Sequence, residues 1–338
     1  MRGNEFAIKR KKRGTIALLV FMTVLLLAGC GTNGSKSGGA ASDKPEASPS
    51  PSAAASAEKR TIKHAMGETP VPAAPKKVVV LTNEGTEAML ALGIKPVGAV
   101  KSFTGNPWYD HIKADMEGVT VLGEESQPNL ELIASLKPDL ILGNKLRQEK
   151  IYEQLNAIAP TVFSETLRGS WKINFSLYAD ALNKKAEGDK VIRDFDNRIA
   201  DFQKKAGDKL KQTVSVVRFM AGKTRIYYED TFTGIIFKQI GIARPARTSK
   251  ETFADDVTKE RIPEMEADMM FYFTYDTGDG KATAGEKEWT SEPLWQNLKV
   301  VKNQKAYRVS DAIWNTAGGV RAANLMLDEL YGFYQLQK

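Results

Sequence analysis

The sequence predicts an α/β protein of two three-layer lobes, each with a mainly parallel sheet, joined by one long helix. Three observations predict this fold. Apolar runs bounded by turn residues alternate with segments of helical periodicity, as in parallel α/β units. The order of these elements in the first half recurs in the second half. Between the halves, residues 171–206 form an amphipathic segment without proline and with one glycine, Gly188.

The first 29 residues have the layout of a secretory signal peptide. Six basic residues and one glutamate give this segment +5 of the chain's formal charge of +7. An apolar run of about twelve residues follows, long enough for a signal peptide but shorter than the roughly 20 residues that span a bilayer. Because the rest of the chain carries only +2, its charge argues against a nucleic-acid-binding body.

Cys30 is the only cysteine of the chain and directly follows Leu27-Ala28-Gly29. A lone cysteine is often a buried small hydrophobic residue, but this position after an apolar run is that of a lipobox, which predicts lipidation of Cys30. Without a second cysteine, no internal disulfide is expected. Residues 30–59 are rich in Gly, Ser, Ala and Pro and predict a flexible linker. We therefore expect a protein anchored by lipid at the outer face of a Gram-positive cell membrane.

Residues 60–170 are predicted to form the N-terminal lobe. Strands and helices alternate in this segment, which is typical of a parallel sheet covered by helices. Gly93 ends the first helix, as glycine commonly does. The predicted strands are 77–82, 96–100 and 140–142, and the predicted helices are 87–92 and 129–137.

Residues 207–338 are predicted to form the C-terminal lobe on the same plan, with strands 214–220 and 269–275 and a helix over 234–240. Two helix-to-strand passages, beginning at Asn129 and Thr258, are alike and favour an internal repeat. The predicted interlobe helix, 171–206, is expected to bend or break near Gly188. A single helical crossing limits hinge opening, so we expect a largely preformed cleft between the lobes.

Cationic and aromatic residues gather at the predicted carboxyl ends of the strands, where open parallel sheets bind ligands. Arginine offers paired hydrogen bonds to carboxylates, and aromatic rings supply flat apolar walls. The combination suits a bulky organic anion. The candidate ligand-binding residues are Lys101, Trp108, Tyr109, Arg147, Arg218, Arg225, Tyr228, Tyr275, Trp314 and Asn315.

Each of these residues also has a structural interpretation. A Trp or Tyr at a strand end packs into a lobe interior about as often as it lines a cleft, and an Arg there also forms interlobe ion pairs. The prediction of a site therefore depends on the clustering and not on any single side chain.

Several motifs resemble those of iron-siderophore substrate-binding lipoproteins of ABC importers, over about residues 60–337. They include the lipobox, Leu136-Lys-Pro-Asp-Leu140 and the segment 314–328. Segments 106–111, 143–147 and 216–228 resemble the subgroup that takes citrate-based hydroxamate siderophores of the schizokinen type, with ferric citrate binders close by. The resemblance implies the fold of class III periplasmic binding proteins.

This resemblance also implies partners and further residues. The siderophore would coordinate Fe(III), so the protein needs no intrinsic cofactor and no metal ligands of its own. Family members present one glutamate from each lobe to an arginine pocket of the permease dimer, which works with its ATPase. The matching residues are Glu131 and Glu260. We expect a monomer that binds no nucleic acid.

Other functions stay open at this point. Ferric citrate, cobalamin or haem could occupy the same fold, and Tyr109, Tyr228 or Met220 could serve as a haem ligand. Zinc or manganese binding calls for a His/Asp/Glu cluster, whereas the only histidines are His64 and His111. An enzyme is disfavoured because the chain has no nucleophile elbow, Walker loop, dinucleotide fingerprint or His-Glu-x-x-His motif. A structural lipoprotein would not need cations and aromatics at the strand ends.

Overall fold

A computed structural model describes residues 58–338. The predicted signal peptide, Cys30 and nearly all of the predicted linker lie outside the described residues. Within residues 58–338, no helix combines the length and the apolar character needed to cross a membrane.

The predicted strands and helices occur in the predicted order, with further elements between and after them. The strands are β1 Lys59–His64, β2 Gly67–Pro72, β3 Val78–Val80, β4 Gly98–Ala99, β5 Thr120–Val121, β6 Gly123–Glu124, β7 Gln127–Pro128, β8 Leu140–Asn144, β9 Thr161–Ser164, β10 Val214–Met220, β11 Lys223–Tyr227, β12 Ala254–Val257, β13 Met269–Tyr275 and β14 Ala306–Arg308. The α-helices are α1 Asn83–Ala91, α2 Leu130–Ser135, α3 Lys145–Gln148, α4 Tyr152–Ile158, α5 Trp171–Ala181, α6 Lys185–Ala206, α7 Phe232–Ile240, α8 Lys281–Thr290, α9 Pro293–Gln296, α10 Lys299–Lys302 and α11 Val320–Phe333. Short 3₁₀ segments occupy Glu149–Ile151, Arg168–Ser170, Gly207–Lys211 and Lys259–Met265, and Ala312–Thr316 is a π-helical turn.

The N-terminal sheet has the strand order β5-β4-β3-β8-β9, and all of its strands run parallel. Its central strand β3 is buried on both faces because apolar layers cover both sides of the sheet. The chain leaves β3 toward β4 and later returns to β8 on the other side. The strand order therefore reverses between β3 and β8, and their carboxyl ends open a crevice there.

The C-terminal sheet has the strand order β12-β11-β10-β13-β14. Strands β10, β13 and β14 are parallel, whereas β11 is antiparallel to both β10 and β12. The order reverses between β10 and β13, which places a second crevice at their carboxyl ends. The expectation of mainly parallel sheets in an α/β fold is confirmed. We call the parts built on the two sheets the N-terminal and C-terminal lobes.

The helices α1 and α7, which follow β3 and β11, begin in the same way. Thr82 caps α1 by accepting a hydrogen bond from the Gly85 N–H, and Thr231 caps α7 by accepting one from the Gly234 N–H. A hydroxyl at this position satisfies a helix N–H group that has no partner within the helix. The shared cap is consistent with the internal repeat that the sequence favours.

The interlobe segment is two helices rather than one. The chain turns at residues 182–184, between α5 and α6, and Asn183 has a left-handed backbone with φ of +56°. Gly188, the expected break, lies inside α6, where a Cβ atom would come within 2.5 Å of the Ala179 Cβ. Its role is therefore close packing of α6 against α5. The expectation of a single helix broken near Gly188 is wrong.

A second connection between the lobes is made by side chains. The N-terminus of α11 packs on α1, and Glu87 of α1 accepts a hydrogen bond from the Ala322 N–H at 2.8 Å. Glu87 is fully buried and also contacts His111. Gly319 permits this approach, because a Cβ atom there would lie 2.5 Å from the Glu87 Cβ. The C-terminal helix α11 thus links the two lobes through its contact with α1.

Candidate functional site

The crevices of the two sheets contribute residues to one cavity of about 290 Å³. The N-terminal lobe supplies residues that follow β3, β4, β6, β8 and β9, and the C-terminal lobe supplies residues from β10, β11 and the end of β13. The cavity is lined by Glu84, Phe103, Glu125, Arg147, Leu167, Arg218, Met220, Arg225, Phe253, Tyr275 and residues 315–318. We call this cavity the cleft.

The C-terminal wall of the cleft is built around two arginines on neighbouring strands. Arg218 of β10 and Arg225 of β11 are directly paired across the antiparallel ladder. Like charges in this position repel each other, so the pair needs anionic neighbours. It has them within the protein, and an anionic ligand in the cleft would add to them.

Arg218 is almost fully buried and held on three sides. Its Nε and Nη2 donate to the two carboxylate oxygens of Asp311 at 2.7 and 3.2 Å, and its Nη1 donates to the Tyr227 hydroxyl at 3.0 Å. The guanidinium carbon lies 4.7 Å from the centre of the Tyr275 ring. A guanidinium has five N–H groups, so two of them remain after these three bonds for a ligand.

Arg225 is more exposed than Arg218. Its Nε donates to the Asp256 Oδ1 at 2.7 Å, and its guanidinium carbon lies 5.5 Å from the Phe253 ring. Asp256 also pairs with Lys223, with 3.1 Å between the charged atoms. Arg225 therefore has a partly solvated ion pair on one side and the cleft on the other.

The N-terminal wall has a mixed charge. Glu125 lies in the hairpin of β6 and β7, and Arg147 on α3 approaches it with 3.3 Å between Nε and the Glu125 Oε2. Glu84, in the first turn of α1, accepts a hydrogen bond from the Asn174 side chain at 2.6 Å. Among the described residues, three guanidinium groups and two carboxylates line the cleft.

Glu125 is 3% exposed and held mainly through one of its oxygens. Its Oε1 accepts hydrogen bonds from the backbone N–H and the side-chain amide of Asn83, at 2.6 and 2.9 Å. Asn83 is the first residue of α1, so the carboxylate lies at a helix N-terminus, which favours negative charge. Burial nevertheless raises the pKa of the Glu125 carboxyl, although the bonds from Asn83 and the charge of Arg147 favour its ionised form.

These groups can bind an organic anion. Guanidinium groups on both walls can donate charge-assisted hydrogen bonds to carboxylate or hydroxamate oxygens, while Phe103, Phe253 and Tyr275 provide apolar surface. Among residues 58–338, no three His, Cys, Asp or Glu side chains come together as a metal site. The guanidinium groups and aromatic rings of the cleft thus suit a bulky organic anion.

Five of the residues predicted from the sequence line the cleft. Arg218, Tyr275 and Arg147 lie near or just beyond the carboxyl ends of parallel strands, in agreement with the rule for ligand sites, whereas Arg225 lies on the antiparallel strand β11. Asn315 belongs to the π-helical turn. The five residues are Arg147, Arg218, Arg225, Tyr275 and Asn315.

Lys101 is exposed and forms an ion pair with Glu124, with 2.6 Å between the charged atoms. It does not line the cleft, but Lys101 and Glu124 lie near enough to influence the charge around the Tyr275 hydroxyl. Lys101 therefore lies at the edge of the site rather than in its wall.

Four aromatic residues predicted to line the cleft are buried elsewhere, and for these the expectation is wrong. Trp314 is fully buried, with its ring 4.4 Å from that of Phe271 and its indole N–H donating to the Glu329 Oε2 at 2.5 Å. Trp108 is buried in the same hydrophobic cluster. Tyr109 is 1% exposed and packs below the cleft, where its hydroxyl accepts a bond from the Phe103 N–H at 3.4 Å.

Tyr228 is the fourth of these aromatics, and strand geometry explains its position. Side chains alternate between the two faces of a strand, and Tyr228 is three residues after Arg225. When Arg225 faces the cleft, Tyr228 must face the other side, where it packs in a cluster with Val217 and its hydroxyl donates to Asp255 at 2.7 Å. Trp314 and Asn315 differ for a related reason, since successive residues of a helical turn point in different directions.

Glu131 and Glu260 are both exposed. Glu131 lies in the first turn of α2 in the N-terminal lobe, and Glu260 lies in the 3₁₀ segment Lys259–Met265 of the C-terminal lobe. Each precedes the strand that flanks the crevice of its lobe, β8 and β13, as their positions in the repeat suggest.

The cleft also contains residues that the sequence reasoning missed. Glu125 follows a two-residue strand too short to be recognised, and Phe253 lies in a loop before β12. Asp311, the partner of Arg218, is separated from it by 93 positions. No local sequence pattern marked these three residues as members of the site.

Comparison with known proteins agrees with this architecture. A family model described as periplasmic binding protein matches residues 78–312. The Bacillus subtilis protein named "Probable siderophore-binding lipoprotein YfiY" is 51% identical over 334 residues, which cover 96% of this chain and 98% of that protein. The Fe(3+)-citrate-binding protein YfmC of Bacillus subtilis is 29% identical over 314 residues, covering 90% and 93% of the two chains.

A solved structure is also similar over most of the described chain. The crystal structure of Staphylococcus aureus SirA complexed with staphyloferrin B superposes with a TM-score of 0.76 at 37% identity. The match covers 82% of this chain and 99% of SirA.

Proposed function

The chain belongs to the periplasmic binding protein family, and on this premise we propose that it captures a ferric siderophore for an ABC importer. The chelate would bind in the cleft between the lobes, with its iron coordinated by the siderophore alone. The observation that carries the proposal is that Arg147, Arg218 and Arg225 reach one cavity from two lobes. Proteins of this family bind solutes for transport, and catalysis forms no part of the proposal.

The best-supported ligand class is a citrate-hydroxamate chelate of the schizokinen type. Three guanidinium groups suit its carboxylate and hydroxamate oxygens, and the aromatic residues suit its apolar arms. The similarity to YfiY, named for siderophore binding, and to SirA, solved with staphyloferrin B, supports a ferric siderophore. The similarity to YfmC keeps ferric citrate as the second candidate.

A ligand panel tests this proposal directly. The purified protein is titrated with ferric schizokinen, staphyloferrin B, ferric citrate, ferrichrome, ferric enterobactin, haem and cobalamin, and binding is followed by quenching of its tryptophan fluorescence. We expect the tightest binding for ferric schizokinen. Tighter binding of haem or cobalamin than of every ferric siderophore would overturn the proposal.

The proposal includes anchoring and delivery. A signal peptide over residues 1–29 and lipid on Cys30 would place the protein outside the cell membrane, with residues 30–59 as a tether for lobes over 60–170 and 207–338. Similarity to a named lipoprotein of a Bacillus supports this arrangement. Metabolic labelling with a fatty acid should mark the wild-type protein and not the Cys30→Ser variant.

Glu131 and Glu260 are proposed to dock the loaded protein on the permease dimer. Both are exposed and occupy equivalent positions in the two lobes. The double variant Glu131→Ala/Glu260→Ala should bind the ferric siderophore as the wild type does but should not support its uptake by cells. Normal uptake by the double variant would contradict the docking role, whereas weakened binding would mean that these residues act on the cleft.

A further inference from the structure

Glu125 presents an unusual arrangement for a buried carboxylate. Its Oε1 accepts two hydrogen bonds from Asn83, but its Oε2 is a buried oxygen that accepts no hydrogen bond from the described residues. The nearest cation is the Arg147 Nε at 3.3 Å, in an ion pair without hydrogen-bond geometry. Leaving a buried charged oxygen without a hydrogen bond is costly, so this oxygen calls for an explanation.

Support of the fold does not explain it. The N-terminus of α1 needs an acceptor only at the Glu125 Oε1, and a neutral glutamine would supply the same oxygen to Asn83. The charge and the second oxygen are therefore free for another task. Because Glu125 lines the cleft, that task concerns whatever the cleft contains.

The Arg147 side chain lies next to this oxygen and can reorient. Its side chain is 36% exposed, and its only charged contact among the described residues is the one with Glu125. A carboxylate of a ligand would draw the guanidinium away through a pair of charge-assisted hydrogen bonds. The Glu125 Oε2 would then be open to a hydrogen-bond donor on the ligand.

We propose that Glu125 determines the specificity of the cleft by accepting a hydrogen bond from an N–H group of the bound chelate, while Arg147 turns to a neighbouring carboxylate of that chelate. This inference rests on the proposed function and narrows its ligand class. The ligand carries an N–H donor beside a carboxylate, as a citrate amide does. A chelate that carries carboxylates but no N–H group is repelled by the negative charge of Glu125.

The Glu125→Gln variant tests the inference with the smallest change of shape. The two donors of Asn83 hold the remaining carbonyl oxygen, so the new NH₂ group takes the place of Oε2 and cannot accept a hydrogen bond. Affinities for ferric schizokinen, which has amide N–H groups, and for ferric citrate, which has none, are measured by titration. We expect the ratio of the two affinities to fall about 10-fold or more in the variant.

The ratio is the informative quantity because removing a negative charge favours every anionic ligand. Glu84→Gln is the matched control, since Glu84 also lines the cleft and already accepts a hydrogen bond from Asn174. It should strengthen the binding of both chelates and leave their ratio as in the wild type. An unchanged ratio in Glu125→Gln, or the same change in Glu84→Gln, overturns the inference.

A second measurement uses only the wild-type protein and remains decisive if Glu125→Gln does not fold. A ferric schizokinen analogue with both amide nitrogens methylated should bind about 10-fold or more weakly than ferric schizokinen. Equal affinity for the two chelates overturns the inference and leaves the proposed function intact. If the wild type binds no ferric chelate of the panel at all, the proposed function itself has failed.

Discussion

Each lobe pairs an arginine of the cleft with a buried carboxylate, Asp311 in one lobe and Glu125 in the other, but the two carboxylates are bonded differently. In the C-terminal lobe, both oxygens of Asp311 accept hydrogen bonds from Arg218, and one also accepts a bond from the Thr316 hydroxyl at 3.0 Å. In the N-terminal lobe, one oxygen of Glu125 is bonded to Asn83, and the other accepts no hydrogen bond from residues 58–338. Burial raises the pKa of both carboxyls, against the opposing effect of the nearby arginine.

The difference indicates that the two walls of the cleft contribute differently to ligand binding. The C-terminal wall holds its arginines in place, since Asp311 orients Arg218 with both oxygens and the sheet fixes its position beside Arg225. The N-terminal wall has a contact that a ligand can replace. Arg147 meets the second oxygen of Glu125 only in an ion pair, with 3.3 Å between Nε and Oε2. One wall is ready for the ligand beforehand, and the other is expected to reorganise around it.

The largest effect is expected from breaking the rigid wall with Arg218→Ala. Asp311 would remain buried without its partner, which should lower the free energy of unfolding by about 3–5 kcal/mol and abolish tight binding. Urea denaturation and ligand titration measure the two effects. The double variant Arg218→Ala/Asp311→Ala should recover part of the stability but not the binding, because it leaves no unpaired buried charge. Equal stability of the single and double variants would refute this account.

A smaller effect, confined to binding, is expected from Arg225→Ala. The variant removes a charge-assisted hydrogen bond or two to the ligand, which should weaken ferric-siderophore binding by about 1.5–3 kcal/mol. Stability should hardly change, since Asp256 is solvated and keeps its contact with Lys223. Titration calorimetry and thermal denaturation separate the two quantities. Unchanged affinity would remove Arg225 from the site.

The pH dependence of the free energy of unfolding tests the environment of Glu125 further. The folded-state pKa of Glu125 is raised above its ordinary value near 4.5, so the folded protein binds this proton more tightly than the unfolded chain. The stability that this group contributes is therefore full below about pH 4 and is lost as the pH rises through the raised pKa. The stability of the wild type minus that of Glu125→Gln, from urea titrations between pH 4 and 7, should fall with rising pH. A rise would contradict the buried, under-bonded state of Glu125.

The smallest effect is expected at Asp276, just after Tyr275 at the edge of the C-terminal wall. This exposed carboxylate accepts bonds from the Thr283 hydroxyl and from several backbone N–H groups, and they hold its pKa well below its ordinary value. Its contribution is therefore present above about pH 4 and is lost as the pH falls through the lowered pKa. Asp276→Asn should flatten the acid side of the stability profile by less than about 1 kcal/mol. A profile unchanged below pH 4 would argue against these bonds.

Much of the fold could be predicted because its signals are local. The strands 214–220 and 269–275 have the predicted bounds, since continuous apolar runs between turn residues have few other uses. Arg218 could be proposed for the same reason, since it lies near the end of the recognisable strand 214–220, whereas β11, which carries Arg225, was not predicted. The turn between α5 and α6 was missed because no proline or glycine marks residues 182–184.

The candidate site was harder to predict in its details. Trp314 and Asn315 are neighbours in the chain, yet one packs in the core and the other lines the cleft. Nothing in their sequence context distinguishes these roles, because a helical turn directs adjacent side chains apart. The separation of Tyr228 from Arg225, by contrast, follows from the alternation of a strand and could have been anticipated.

By itself, the sequence determined the α/β fold class with mainly parallel sheets and the position of several central strands, because these follow from periodicity and from short-range turn signals. Only the tertiary structure decided which aromatics enter the core and which carboxylate meets which arginine. Such pairings join residues as distant in the chain as Arg218 and Asp311, or Glu87 and Ala322. They depend on the packing of one element on another, and local sequence patterns carry no record of that packing.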